Sequence, residues 1–315
     1  MDLIVAAPTE SPARVSAPER APLPVGLVQT RWHADAAEHR AVLREGVLVA
    51  AAAGAEVVFL PELTLSRYPA DTRPEGDATA TAEDLETGPT RAFAAETAKE
   101  AGVAVHASLF ERSPGDDGLG YDDGLGYNTA ILVAPDGSLL GRRRKTHIPK
   151  TAGYYEDLYF RPGPDDADAY APIDVNGARI GLPTCWDEWF PEVARAYALQ
   201  GADVLAYPTA IGSEPDHPDF DTAPLWRHVI VGHGITNGTF MVVPNRWGDE
   251  GLVSFYGSSF ISDPYGRILA EAPRAGDAVL VARLDLDQRR DWLTLFPFLE
   301  TRRPETYRAL TAPRS

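Results

Sequence analysis

Cys185 is the chain's single cysteine, and it stands where a short apolar run at 178–183 meets a helical pattern at 188–200. Free backbone N–H groups and the positive end of a helix dipole gather at such a junction, and both stabilise a thiolate or an oxyanion. A lone cysteine can equally be an inert, buried apolar residue. Glu62 closes Val57-Val58-Phe59-Leu60-Pro61-Glu62. A carboxylate there emerges at the C-terminal edge of a buried strand, where α/β sheets carry ligand-binding groups. Partly buried, it would have a raised pKa and could take a proton from a thiol. The plain alternative is a capping or solvated glutamate. Lys145 ends Arg142-Arg143-Arg144-Lys145. Alternate strand residues face opposite sides, so one of these cations can point inward while its neighbours stay wet. An inward lysine could donate to an oxyanion or stabilise a carboxylate and a thiolate; the plain alternative is a basic strand edge. Glu156 sits among aromatic residues at 153–160, and spacing does not separate a pocket wall from a half-buried loop.

These residues need elements to hold them. Residues 25–29 read as a first strand, and 35–53 as an Ala-rich helix with Asp35 as N-cap. Residues 57–60 read as a buried parallel strand ending at Pro61. Residues 90–101 form a second helix with Gly102 at its C-terminal cap, followed by a strand at 103–110. A Pro135-Asp136-Gly137 turn joins 128–134 to 138–145 as a hairpin. Asn176-Gly177 turns a second hairpin, whose outgoing strand at 178–183 runs into Cys185. In the helix predicted at 188–200, Trp189, Val193, Ala196 and Tyr197 share a face, and Gly201 follows. Further strands are predicted at 203–207, 239–243, 256–263, 267–270 and 278–284, with a helix at 225–237. Helices and strands alternate with short links, which predicts one domain with a layered α/β core and mixed sheets. Residues 1–24 carry Pro8, Pro12, Pro18, Pro22 and Pro24 and read as a mobile tail. DDGLGY at 116–121 is repeated at 122–127 and reads as a tandem slip in a surface loop.

Composition narrows the function classes. Hydrophobic residues make up 44% of the 315, enough for a large core. Lys and Arg total 29 against 46 Asp and Glu, a net charge of −17, the wrong sign for a nucleic-acid backbone binder. An acidic protein can instead draw in cationic small molecules. One cysteine permits no internal disulfide and no Cys-based zinc site, and fits a reducing cytoplasm. No apolar run approaches a membrane span. Residues 3–7 are too short for the core of a secretory signal, so none is expected.

Three separated blocks, VVFLPELTLSRYP at 57–69, KTHIP at 145–149 and GLPTCWDEWFPE at 181–192, together resemble the Glu, Lys and Cys blocks of the carbon–nitrogen hydrolase, or nitrilase, superfamily. The resemblance runs from about residue 25 to 307. It implies a four-layer α-β-β-α sandwich with two mixed sheets in a single domain at 25–307, flanked by tails at 1–24 and 308–315. It further implies that Cys185 attacks a carbonyl, that Glu62 is the general base and acid, and that Lys145 with the Trp186 backbone N–H stabilises the oxyanion. Glu156 would be the second glutamate that holds Lys145. No metal or organic cofactor is implied, and a homodimer or larger homo-oligomer is. Within the superfamily, 147–160, 185–201, 207–215 and 302–307 are most similar to N-carbamoylputrescine amidases. The duplicated DDGLGY loop and the run at 232–238 depart from that subgroup.

The charges near Cys185 bear on the substrate. A carbamoyl amino acid ends in a carboxylate, and its binder would place Arg near the nucleophile. No Arg follows Cys185 until Arg195. Asp187 and Glu214 could hold an ammonium, and Trp189 could pack on a substrate's methylenes or cation. Trp186 and His147 complete the expected substrate contacts, His147 having no His or Cys partner spaced for zinc. Arg246 and His217 are the counter-evidence, since either could reach an anion from a loop. A related amidase or N-carbamoyl amino acid hydrolase is the second enzyme reading. A non-catalytic protein of this fold should lack one of Glu62, Lys145 and Cys185, and a redox sensor should carry a resolving cysteine; neither condition is met.

Overall fold

The computed structural model describes residues 1–112, 123–165 and 169–312. Its first six strands are β1 (Asp2–Val5), β2 (Leu23–Gln29), β3 (Val57–Phe59), β4 (Ala104–Glu111), β5 (Tyr127–Val133) and β6 (Leu139–Arg144). After them come β7 (Ile173–Val175), β8 (Ala178–Gly181), β9 (Val204–Ala206), β10 (Phe240–Val243) and a ribbon of β11 (Trp247–Asp249) with β12 (Ser254–Tyr256). The last are β13 (Phe260–Ser262), β14 (Ile268–Glu271) and β15 (Ala278–Leu284). The helices are α1 (Ala36–Ala52), α2 (Pro89–Ala101), α3 (Pro191–Leu199), α4 (Ala223–Asn237) and α5 (Asp287–Leu295).

One sheet has the order β1-β15-β2-β3-β4-β5-β6 and the other β14-β13-β10-β9-β8-β7. Each has a parallel centre, β2-β3-β4 or β8-β9-β10, and antiparallel pairing outside it except between β1 and β15. Side-chain alternation divides the apolar residues into layers. Val25, Leu27, Val57 and Phe59 face Ile180, Leu182, Val204 and Val242 between the sheets. On the outer side of the first sheet, Val28, Val58 and Val105 pack on Leu43 and Val47 of α1 and Phe93 of α2. Beyond the second sheet, Leu205 and Met241 pack on Val193 of α3 and Ile230 of α4. This is a single-domain α-β-β-α sandwich. At Gly26 a Cβ would lie 2.8 Å from the Cβ of Ala50, so the absence of a side chain lets α1 lie close on β2.

Local signals explain several boundaries. The Asp35 carboxylate accepts from the Glu38 N–H at 2.9 Å and caps α1, as its position predicts. Gly102 ends α2 at φ +69°. The helix predicted at 188–200 differs. Residues Cys185–Trp189 form a 3₁₀ turn, Phe190 is extended, and α3 begins at Pro191. Proline cannot donate to a preceding turn and disfavours α geometry at the residue before it, but suits the first helical position. The strand predicted at 256–263 is also broken, because Gly257 and Ser258 both adopt positive φ.

The N-terminal tail is a further correction. β1 pairs in parallel with β15, the Ser11 hydroxyl meets Tyr265 at 2.7 Å, and Arg20 binds the Asp203 carboxylate at 2.7 Å. The prolines at 8, 12, 18 and 22 lie between β1 and β2, and Pro24 lies within β2. The first DDGLGY copy and Asp122 of the second lie outside the described residues.

Candidate active site

Glu62 follows β3, Lys145 follows β6, Glu156 opens a 3₁₀ turn at Glu156–Leu158, and Cys185 opens the turn after β8. Thus β3 and β8, parallel strands of different sheets, deliver their groups at their C-terminal ends. Glu62, Lys145 and Glu156 are each at most 1% exposed, and Cys185 is 6% exposed.

The Lys145 ammonium donates to Glu62 Oε1 at 3.0 Å and to Glu156 Oε2 at 2.7 Å. Asn128 Nδ2 donates to Glu62 Oε1 at 2.7 Å, and the Ala210 N–H to Glu62 Oε2 at 2.9 Å. The Tyr68 hydroxyl donates to Glu156 Oε1 at 2.9 Å. Both carboxylates are thus held by fixed donors, and one cation serves the two. Burial works against the Lys145 charge, but Glu156 and Glu62 outweigh it and raise the ammonium pKa. Burial pushes the Glu156 carboxyl up to about 7, against the pull of Lys145 and with the push of Glu62. Burial first, and Glu62 next, drive the Cys185 thiol well above its usual value, Lys145 opposing. The sulfur therefore rests as a thiol and needs a base. The helix expected to begin beside Cys185 starts only at Pro191, so its dipole does not act at the sulfur as the junction suggested.

The raised Glu156 pKa has a sign that can be worked out. An unfolded glutamate ionises near its ordinary value, while this folded one holds its proton to about 7. Between those values the folded chain binds more protons, so rising pH favours unfolding. Its contribution is fully present below the ordinary carboxylate range and lost as pH climbs through about 7. Thermal melts of the native chain and Glu156→Gln at several pH values should show the native chain losing roughly 1–3 kcal/mol more across this window. Parallel slopes would contradict the assignment.

Cys185 and Glu156 line a cavity of about 290 Å³. Trp186, Trp189, Tyr154 and Ile211 give it apolar walls, and the two indoles are 6.4 Å apart at 55°. Glu214 also lines it, half-buried, with its pKa raised by burial and the Thr222 hydroxyl 3.3 Å from its Oε1. Among the described residues no lysine or arginine lines this cavity. Larger, more open clefts of about 530 and 550 Å³ hold none of Glu62, Lys145, Glu156 and Cys185.

Two expected substrate contacts are placed elsewhere. Asp187 is buried, and its Oδ1 accepts from the His147 N–H at 2.9 Å and lies 2.7 Å from His147 Nδ1. Its Oδ2 accepts from the Thr184 N–H at 3.1 Å. Asp187 therefore ties the cysteine turn to the segment after Lys145, and the helix-like run of acids gave no hint of these long-range donors. The His147 ring stacks on Phe190 with centroids 3.7 Å apart. Neither residue lines the cavity.

Arg246 does not reach out from a loop to receive an anion. Its buried guanidinium donates to the main-chain oxygens of Glu62 at 2.6 Å and Leu63 at 3.2 Å, and to both Glu250 carboxylate oxygens at 2.8 Å. Leu63 has φ +49°, an uncommon conformation for a side chain of this size. Arg246 thus pins the bend that presents Glu62. Asn128, Tyr68 and Arg246 were not read from the sequence as supports. Tyr68 lies within the Glu block at 57–69, and that proximity was the available signal.

The carbon–nitrogen hydrolase family model matches residues 24–293. A citrullinase from Francisella tularensis is 36% identical over 290 residues, covering 90% of this chain and 96% of its own. An N-carbamoylputrescine amidase from Arabidopsis thaliana is 38% identical over 267 residues, covering 82% and 85%. The crystal structure of a carbon–nitrogen hydrolase from Helicobacter pylori superposes with a TM-score of 0.79 at 29% identity, covering 93% of this chain and 99% of that one. The chain belongs to the carbon–nitrogen hydrolase family and is a hydrolase acting on carbon–nitrogen bonds.

Proposed function

We propose that the chain hydrolyses the carbamoyl C–N bond of N-carbamoylputrescine or a similar N-carbamoyl amine, with Cys185 as nucleophile. The observation that carries this is the convergence of Cys185 with the Glu62–Lys145–Glu156 network on a cavity whose other carboxylate wall residue is Glu214. Glu62 takes the Cys185 proton as sulfur attacks the carbamoyl carbon. Lys145 and the Trp186 backbone N–H meet the oxyanion. As that intermediate collapses, the C–N bond breaks and Glu62 returns the proton to the departing nitrogen. A thiocarbamate remains on Cys185. Glu62 then deprotonates water, which attacks the same carbon; the C–S bond breaks and sulfur regains its proton. The released carbamic acid divides into carbon dioxide and the remaining amine or ammonia. Glu156 holds the Lys145 ammonium in place throughout.

Glu214 would bind the distal ammonium between apolar walls that suit methylenes. Glu214→Gln should therefore raise KM for N-carbamoylputrescine by about 10–100-fold with a smaller change in kcat. An unchanged KM would remove Glu214 from the substrate site. The citrullinase relative motivates a second reading. Citrulline adds a carboxylate, and His217 stands near Glu214 on the same loop. Ammonia release measured side by side on N-carbamoylputrescine, citrulline and N-carbamoyl-β-alanine separates these readings. Preference for either anion-bearing compound would overturn the amine assignment and leave the covalent chemistry standing.

A further inference from the structure

The proposed chemistry leaves one carboxyl beside the nucleophile unused. Glu188 lies three residues after Cys185 in the same 3₁₀ turn and has no exposed surface. Neither of its carboxyl oxygens has a partner of full hydrogen-bond geometry among the described residues, the Trp226 indole N–H being the donor that reaches toward it. The ionisable groups facing it are Cys185 and Asp187 on its own turn, Glu62 after β3, Lys145 after β6, Tyr207 after β9 and Tyr256 of β12. Trp226 of α4 packs there too. The Tyr207 hydroxyl is likewise buried without a partner among the described residues. Lys145 is the cation in this group, and it is already shared by Glu62 and Glu156. A charged carboxylate in such a place has neither exposure to bulk solvent nor a free cation among the described residues, so the neutral acid is the form that fits.

We propose that Glu188 is a positioning residue, held as a neutral carboxylic acid behind Cys185, and that loss of its proton disables the thiol. The inference rests on Cys185 being the nucleophile. Burial drives the Glu188 carboxyl well above the usual carboxylate range, in accord with the packing. Once ionised, Glu188 adds a negative charge beside a sulfur that Glu62 and Glu156 already disfavour as an anion. Proton transfer from Cys185 to Glu62 then becomes harder, and the unpaired charge strains the turn.

The test compares the native chain with Glu188→Gln, which keeps the shape and stays neutral at every pH. Turnover of N-carbamoylputrescine and alkylation of Cys185 by iodoacetamide are both followed against pH. Glu188→Gln should match the native kcat/KM within about threefold near neutrality, move the alkaline fall of turnover up by about one pH unit or more, and move the alkaline rise of alkylation to lower pH. Coincident alkaline limbs, or a folded but inactive Glu188→Gln near neutrality, would overturn the proposal. Infrared spectroscopy of the native chain guards against a variant that does not fold. A protonated-carboxyl band that persists well above the usual carboxylate range and disappears as turnover falls supports the proposal, and absence of such a band overturns it. If full alkylation of Cys185 leaves turnover intact, the nucleophile reading fails. If alkylation abolishes turnover while the limbs coincide, the role of Glu188 alone fails.

Discussion

The Cys185→Ala variant is expected to fold like the native chain and to release ammonia from a carbamoyl amine roughly 10⁴-fold more slowly, or slower still. The change removes one buried sulfur and leaves the Glu62–Lys145–Glu156 hydrogen bonds intact. Its stability cost is therefore small, about 1 kcal/mol. The rate cost is large because carbamoyl groups are poor electrophiles with poor leaving groups. Without sulfur, the covalent route that divides the barrier is closed, and Glu62 and Lys145 can only assist direct attack by water. Circular dichroism and a thermal melt check the fold, and an ammonia assay checks the rate. A folded variant with near-native turnover would remove Cys185 from the chemistry.

The second large effect is expected at Lys145. Lys145→Met leaves the Glu62 and Glu156 carboxylates buried without their shared cation. Removing one partner of a fully buried ion pair costs about 3–5 kcal/mol. Losing one oxyanion donor slows acyl transfer by about 10²–10³. Glu62→Gln should instead keep more of the fold and slow both halves of the reaction, by about 10²–10⁴. The two changes should be non-additive in stability. With Lys145 already methionine, neutralising Glu62 removes one uncompensated charge, so the double variant should unfold at a higher temperature than Lys145→Met alone. A double variant less stable than Lys145→Met would contradict the picture of one ammonium balancing two buried carboxylates.

Glu62, Lys145 and Cys185 each end a short apolar or alternating run, but a run's end leaves an inert reading open for each, and it is the resemblance of the three blocks to the carbon–nitrogen hydrolases that draws them together. Asp35 and Gly102 were legible because capping depends on residue type at one position. Groups whose roles depend on distant partners were not. Asp187 reads as one more acid beside the nucleophile, but the His147 and Thr184 amides that claim it are fixed by how two loops meet. Arg246 reads as a loop cation, yet a strained bend nearly two hundred residues away holds it. The pairing of β1 with β15 joins the first residues to a strand near the other end of the chain, and no local pattern announces it. Pro191 did mark the true start of α3, but a helical periodicity running through 188–200 obscured the break.

The account turns on a covalent intermediate at Cys185, and mass spectrometry of acid-quenched turnover tests it most directly. Native protein mixed with N-carbamoylputrescine should yield a Cys185 peptide carrying a carbamoyl or aminobutylcarbamoyl group. The adduct should disappear as substrate is consumed and never form in Cys185→Ala. Sustained turnover with every Cys185 peptide unmodified, across the whole quench series, would contradict the account.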